Sequence, residues 1–190
     1  SATTSSEPLD VDLKKPEILF IGRISQYKGI ELFLEASKNL LQQNQEARFR
    51  LSGSGDLSHY TDAISLLEPN ISINNDWLSD DEVLDEISAA TLCILPYIDS
   101  TQSGILPTAL ALGVPVVITP SHGLMAQLPK GCGIVAESFT GADICSPVME
   151  ALSDKVAYCE MSRNGKEIYG TDIWTKQAET LTLFYSQKSK

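Results

Sequence analysis

Residues 18–29 of this chain are Ile18-Leu19-Phe20-Ile21-Gly22-Arg23-Ile24-Ser25-Gln26-Tyr27-Lys28-Gly29. The first four form an apolar run, which is typical of a strand buried on both faces of a sheet. A loop with two glycines and two cations follows, and apolar residues then recur at helical spacing from Ile30 to Ala36. Such a loop suits a phosphorylated ligand, because glycine lets the backbone approach closely and a helix N-terminus favours an anion. The alternative is that Arg23 and Lys28 are solvated loop residues and the glycines only turn the chain.

The rest of the chain repeats this alternation of strand-like and helix-like patterns. Strands are predicted at 17–22, 48–53, 70–74, 91–96, 115–119 and 133–136. Helices are predicted at 29–43, 57–67, 79–90, 103–112, 123–128, 140–152 and 173–187. A capping box at Ser79 and Glu82 marks one helix start, and Thr140 with Asp143 marks another. The alternation predicts an α/β fold with a Rossmann-like parallel sheet covered by helices on both faces.

Length and composition limit the classes of protein to which the chain can belong. The 190 residues are 43% hydrophobic, which is enough for one well-packed domain but cramped for two. We therefore expect a polar linker or cloning remnant at 1–15, extended or disordered, and one Rossmann-like domain at 16–190. The net charge of −11 argues against a nucleic-acid partner. No apolar run approaches the roughly 20 residues of a transmembrane segment.

The cysteines and histidines give no metal signature. Cys93, Cys132, Cys145 and Cys159 lack CxxC or Cys/His spacing, so buried free thiols in a reducing cytoplasm are favoured. The two histidines have no partner at a spacing useful for a metal ligand. We expect neither a metal ion nor a cofactor.

Two further loops follow strands and precede helices. In the loop after the strand at 91–96, Ser103 or Gly104 is a credible N-cap of the next helix. The start of that helix is a second candidate anion site. The alternative is an ordinary capped helix without a ligand. The other loop is Ser52-Gly53-Ser54-Gly55-Asp56, which could contact a sugar or phosphate. It could also be a fragment of a dinucleotide fingerprint, although a third glycine and a downstream ribose-binding acid are absent.

Taken in order, these segments resemble the carboxy-terminal, donor-binding half of a GT-B glycosyltransferase, close to the retaining family 4. The segments that carry the resemblance are Phe20-Ile21-Gly22-Arg23 with Tyr27-Lys28-Gly29, then Leu51-Ser52-Gly53-Ser54-Gly55, then Pro96 to Gly113-Val114-Pro115-Val116-Val117. The resemblance implies catalytic roles for Arg23 and Lys28, which would hold the donor diphosphate and offset charge on the leaving nucleoside diphosphate. It implies donor-binding roles for Gly22, Gly29, Gly53, Ser103, Gly104, Ile105, Thr108 and Asp99.

One departure from the family pattern concerns two glutamates. Their positions correspond here to Ser100 and Thr108, and neither residue is acidic. The second family glutamate holds the ribose hydroxyls, so Thr108 would do this only weakly, and Asp99 is a candidate substitute. The Thr-Gln-Ser-Gly-Ile sequence at 101–105 resembles a subgroup found in polysaccharide assembly, which favours a variant donor site over a decayed one.

The resemblance implies a retaining hexosyltransferase that uses a nucleotide-diphospho-sugar as its substrate in surface or exopolysaccharide biosynthesis. The chain has room for one of the two GT-B domains. We therefore expect it to bind donor and to transfer nothing alone, with the glycan or lipid-linked glycan acceptor bound through the missing N-terminal domain. The expected location is the cytoplasm, with the inner face of the membrane as an alternative for the full-length protein. A non-catalytic nucleotide-sugar-binding or scaffold domain is the competing hypothesis, and an NAD-binding oxidoreductase domain is a weaker third.

Overall fold

A computed structural model describes residues 11–170 and shows an α/β fold built on one parallel sheet. Within those residues the strands are Glu17–Ile21 (β1), Arg48–Ser52 (β2), Ile71–Asn74 (β3), Leu92–Leu95 (β4), Val116–Ile118 (β5) and Gly133–Val135 (β6). The helices are Ile30–Gln43 (α1), Thr61–Ser65 (α2), Asp80–Ser88 (α3), Ile105–Ala111 (α4), His122–Gln127 (α5), Gly141–Ser153 (α6) and Lys155–Tyr169 (α7). All six predicted strands are confirmed. The helix predicted at 173–187 and most of the segment at 1–15 lie outside the described residues.

The strand order is β3-β2-β1-β4-β5-β6, and every neighbouring pair is parallel. The chain first moves outward from β1 to β3 and then returns to build the other half from β4. The order therefore reverses between β1 and β4, and the crevice outside the carboxyl ends of these strands is where such sheets bind ligands.

Both faces of the sheet are buried. Alternate side chains of β1 enter opposite cores, with Ile18 and Phe20 in one and Leu19 and Ile21 in the other. The first core includes buried residues of α1 and α6, such as Phe33 and Ile144. The second includes residues of α3, α4 and α5. The predicted helices on both faces are thus confirmed. The prediction rested on the uninterrupted apolar strands, which need to be covered on each side of the sheet.

The helix boundaries follow the capping residues. At the start of α3 the Ser79 backbone N–H donates to the Glu82 carboxylate at 2.8 Å, and the Glu82 N–H donates to the Ser79 hydroxyl at 3.4 Å. At the start of α6 the Asp143 N–H donates to the Thr140 hydroxyl at 3.1 Å. Both predicted caps are confirmed.

Helix α7 was not predicted. The Asp154 carboxylate caps it by accepting from the backbone N–H groups of Val156 and Ala157. Its buried residues, Tyr158, Met161, Ser162 and Gly165, recur at helical spacing. Two of these are small or polar, and at Gly165 a Cβ would lie 2.8 Å from the Leu110 carbonyl oxygen. This helix therefore packs on α4 partly through close backbone approach, and small and polar residues interrupt the apolar stripe by which helices are recognised.

Candidate functional site

The loops that follow β1, β2 and β3 are joined at the carboxyl edge of the sheet. The Gly22 N–H donates to the Ser52 carbonyl at 3.0 Å, and the Gly53 N–H donates to the Asn74 carbonyl at 2.8 Å. The Asn75 side chain accepts from the Gly55 N–H and donates to the Gly55 carbonyl, each at 3.1 Å. The three loops therefore form one continuous wall.

Close backbone approach makes this wall possible at Gly53. This residue has a φ of 138°, and a Cβ there would lie 2.0 Å from the Gly22 carbonyl oxygen. Only glycine fits such a position, since any side chain would be strained and would clash with backbone. The glycine pattern in the sequence thus has a packing role, whichever ligand the site takes.

A cleft of about 450 Å³ opens against this wall. It is lined by Ile21, Gly22, Arg23, Gly53, Ser54, Trp77, Leu78, Val83 and Ile105. Arg23 is the one charged residue of that lining, and its side chain is exposed. Trp77 is 83% exposed, which is unusual for so large an apolar side chain. The cleft thus offers mostly apolar walls and one guanidinium.

Lys28 lies between two aromatic rings beside the switch point. Its Nζ is 3.6 Å from the centroid of the Tyr97 ring and 5.3 Å from that of Tyr27. The Ile98 N–H donates to the Tyr27 carbonyl at 2.9 Å, which fastens the loop after β1 to the loop after β4. Burial lowers the pKa of Lys28 to about 8, because desolvation disfavours the charged form.

Tyr97 also contacts the start of α4. Its hydroxyl lies 3.3 Å from the Ser103 hydroxyl, and the Ser103 hydroxyl accepts from the Leu106 N–H at 3.3 Å. Gln127 holds the same serine from α5: the Ser103 N–H donates to Gln127 Oε1 at 2.6 Å, and Gln127 Nε2 donates to the Ser103 carbonyl at 3.2 Å. The Ser103 amide is therefore already engaged, while the Gly104 backbone forms the N-cap of α4 without a side-chain bond.

Six of the predicted site residues fall into two groups in the structure. Gly22, Arg23, Gly53 and Ile105 line the cleft. Lys28 and Ser103 are not in that lining and are linked to each other through Tyr97.

The remaining predicted residues have structural or exposed positions. Gly29 is the N-cap of α1, with a φ of 70°. The Thr108 hydroxyl donates to the Gly104 carbonyl at 2.8 Å. Asp99 is exposed, and the structure gives its side chain no hydrogen bond within residues 11–170. Thr108 thus contacts only Gly104 among the predicted residues, and Asp99 is not drawn into the contacts that join the others.

Sequence reasoning missed Tyr97, Gln127 and Asn75. Each acts through a contact between segments far apart in the chain; Ser103 and Gln127, for example, are 24 positions apart. A tyrosine directly after a buried strand is the one local signal that could have drawn attention to Tyr97.

The described part of the chain shows neither a candidate metal cluster nor a candidate membrane span. Among residues 11–170, no group of three or more His, Cys, Asp and Glu side chains is placed to hold a metal ion. None of the helices in that range is long and apolar enough to cross a bilayer.

The six-stranded parallel sheet with helices on both faces matches the structures of GT-B glycosyltransferases in fold. The chain belongs to the family described as Glycosyl transferases group 1, which it matches over residues 15–154. The resemblance inferred from the glycine and cation motifs is thereby confirmed.

Curated relatives are similar in sequence at a low level. The chain is 24% identical over 155 residues to an alpha-D-kanosaminyltransferase of Streptomyces kanamyceticus, covering 79% of this chain and 40% of that protein. It is 24% identical over 199 residues to a D-inositol 3-phosphate glycosyltransferase of Gordonia bronchialis, covering 94% of this chain and 42% of that protein. The chain thus spans less than half the length of these relatives.

Solved structures agree in fold. WaaG, a glycosyltransferase involved in lipopolysaccharide biosynthesis, superposes with a TM-score of 0.73 at 19% identity over 84% of this chain and 44% of its own. The sucrose-phosphate synthase of Thermosynechococcus elongatus superposes with a TM-score of 0.77 at 20% identity over 94% of this chain and 47% of its own.

Proposed function

We propose that this chain is the donor-binding domain of a retaining glycosyltransferase that transfers a hexose from a nucleotide-diphospho-sugar to a glycan acceptor in surface or exopolysaccharide biosynthesis. One observation supports it most: Arg23 lines a mostly apolar cleft at the carboxyl edge of the sheet, while Lys28 and Ser103 both contact Tyr97 in the loop after β4. An apolar slot next to two cations suits a base and a diphosphate on the same ligand.

In this proposal the nucleoside occupies the cleft. The exposed face of Trp77 and the apolar side chains of Leu78 and Val83 would flank the base. The diphosphate would then reach Arg23 at the edge of the cleft and Lys28 beyond it. The free backbone amides near the phosphates would be those of Gly104 and Ile105, because the Ser103 N–H donates to Gln127.

The two cations would serve the chemistry by stabilising the leaving group. The bond from the anomeric carbon to the diphosphate oxygen breaks, the acceptor hydroxyl oxygen bonds to the same face of that carbon, and the hydroxyl proton passes to the departing diphosphate oxygen. Negative charge collects on the departing nucleoside diphosphate, where a positioned guanidinium and ammonium stabilise it. The acceptor would be bound through a second domain, so we expect the present chain to bind donor without transferring sugar.

A non-catalytic nucleotide-sugar-binding or scaffold domain is the second candidate. Its support is that the two positions occupied by glutamate in the family have internal partners here: the Ser100 hydroxyl lies 3.3 Å from that of Ser121, and the Thr108 hydroxyl donates to Gly104. Asp99, exposed beside Ser100, remains our candidate for binding the ribose hydroxyls if the protein is an enzyme.

The cytoplasmic location stays a prediction.

A thermal-shift screen tests the binding function. We expect UDP or GDP to raise the melting temperature of this chain, since a ligand that binds only the folded state stabilises it by mass action. NAD should give no shift, and a shift with NAD alone would favour the oxidoreductase hypothesis. An assay of sugar transfer and donor hydrolysis by the full-length protein separates the two leading candidates. The enzyme hypothesis predicts activity, and the scaffold hypothesis predicts none.

A further inference from the structure

Tyr97 is the fully buried residue at which the two parts of the site meet. It lies two residues after the end of β4, and its carbonyl accepts from the Thr119 hydroxyl at 2.6 Å, which fixes its backbone beside the end of β5. One face of its ring contacts the Lys28 ammonium, and its hydroxyl contacts Ser103. A side chain so constrained on every side has little freedom to move when a ligand arrives.

We propose that Tyr97 is a positioning residue, whose ring holds the Lys28 ammonium toward the donor diphosphate and whose hydroxyl sets the place of Ser103 beside it. This inference rests on the proposed function, because it assigns a task to the same site. It goes further because it states that an aromatic ring, rather than an acidic side chain, positions the Lys28 ammonium.

The choice of a ring has a physical consequence. Within residues 11–170 no carboxylate lies within ion-pair distance of Lys28, although carboxylates do pair with Lys15 and Arg50. A carboxylate would neutralise the ammonium and compete with phosphate oxygens for its N–H groups. The face of a tyrosine ring attracts the cation through its quadrupole and carries no net charge. The ammonium is thus held in place while its positive charge stays available.

The ring also reduces the entropic cost of binding. A free lysine side chain loses substantial rotamer freedom when a ligand fixes it. Here the Tyr97 ring restricts Lys28 before any ligand is present, with the ammonium 3.6 Å from the ring centroid. The hydroxyl acts in the same way on Ser103, whose other side is held by Gln127. One residue therefore fixes the distance between the cation and the start of α4.

A double-mutant cycle tests the ring contact. UDP and GDP binding to the whole chain is measured by calorimetry for the wild type, Lys28→Met, Tyr97→Leu, Tyr97→Phe and the combinations with Lys28→Met. We expect Lys28→Met to cost about three- to tenfold less affinity in the Tyr97→Leu background than in the wild type, because the ring contact is then already lost. In the Tyr97→Phe background the ring remains, so Lys28→Met should cost as much as in the wild type.

Two controls separate positioning from general damage. Tyr158→Phe removes another buried tyrosine hydroxyl, which donates to the Thr91 carbonyl at 2.7 Å before β4 begins, and it should leave affinity unchanged. If Tyr97→Leu does not fold, phenylalanine carrying one, two or three fluorine atoms at position 97 replaces it. Fluorine withdraws electron density from the ring face, so affinity should fall stepwise with each atom at nearly constant side-chain shape.

Each outcome decides a separate point. Equal losses from Lys28→Met in all three backgrounds, or an affinity unaffected by fluorination, would overturn the positioning role and leave the proposed function intact. Failure of the wild type to bind either nucleotide would overturn the proposed function, and this inference with it. A coupling of Lys28→Met with Tyr97→Leu that is absent with Tyr97→Phe supports the inference.

Discussion

Gly29 lies directly against the carbonyl oxygen of Pro96, so closely that a Cβ at position 29 would be 1.8 Å from that oxygen. The contact joins the loop that carries both cations to the end of β4, across the switch point. Gly29 also has a φ of 70°, a conformation that side chains rarely adopt. The close packing of these two loops therefore depends on the absence of a side chain at this position.

The first prediction is that Gly29→Ala destabilises the fold by about 2–5 kcal/mol, because backbone strain adds to the clash. Chemical denaturation of both proteins measures the change. Gly104→Ala is the matched control: Gly104 has a φ of −75° and its Cβ would have no neighbour within 4 Å. It should leave the free energy of unfolding the same or slightly raised. Equal effects of the two variants would contradict this account of the loop.

The second prediction concerns Arg23. Arg23→Ala should weaken UDP or GDP binding by about 10- to 100-fold, because a charge-assisted hydrogen bond to phosphate is lost. Arg48→Ala serves as the control, since Arg48 is equally exposed but begins β2 at the opposite end of the sheet. Calorimetric titration gives both affinities. A similar loss in both variants would indicate that only net charge matters.

The third prediction follows from the lowered pKa of Lys28. With a pKa of about 8, the Lys28 side chain is a charged ammonium at pH 7. It loses its proton and its positive charge as the pH rises above 8. The last proton of a terminal phosphate leaves near pH 6, and the pKa of Tyr97 is raised to about 12, so neither group titrates in this range. Affinity for a nucleoside diphosphate should be level near pH 7 and fall by up to about tenfold per pH unit above 8.

Lys28→Arg provides the control for this pH dependence. A guanidinium stays charged throughout, so this variant should bind equally well at pH 7 and pH 9, whatever its absolute affinity. A pH profile with the same decline in both proteins would show that another group is responsible. An affinity of the wild type that does not change up to pH 10 would place the ammonium away from the phosphates.

The fourth prediction separates the base from the diphosphate. If Trp77 flanks the base, Trp77→Leu should weaken UDP or GDP binding by at least about fivefold, in line with stacking energies of aromatic side chains on bases. Binding of inorganic pyrophosphate, which has no base, should stay the same. Calorimetry with the two ligands measures the contrast. A parallel loss of pyrophosphate affinity would mean that the substitution damages the site as a whole.

Much of the fold follows from local sequence signals. Apolar runs such as 18–21 predict buried strands, and the capping box at Ser79 and Glu82 marks the start of α3. These features depend on neighbours in the chain, which is why they can be inferred without coordinates. Helix α7 was missed because its buried face relies on Ser162 and Gly165, whose fit depends on the shape of α4.

Some features of the site likewise follow from local sequence motifs, and others arise only from the fold. Arg23, Gly53 and Ile105 follow from motifs, and the structure places all three on one cleft. The partnership of Tyr97 with Lys28 arises only from folding, because it joins segments about 70 residues apart. Long-range contacts of this kind leave no periodic pattern in the sequence, so no local rule could have predicted them.

The most direct test of the central claim is a crystal structure of this chain with whichever of UDP and GDP gives the larger thermal shift. The account predicts that the base lies in the cleft beside Trp77, and that phosphate oxygens lie within hydrogen-bonding distance of Arg23 and Lys28. A nucleotide bound elsewhere, or one whose phosphates lie away from both cations, would contradict it.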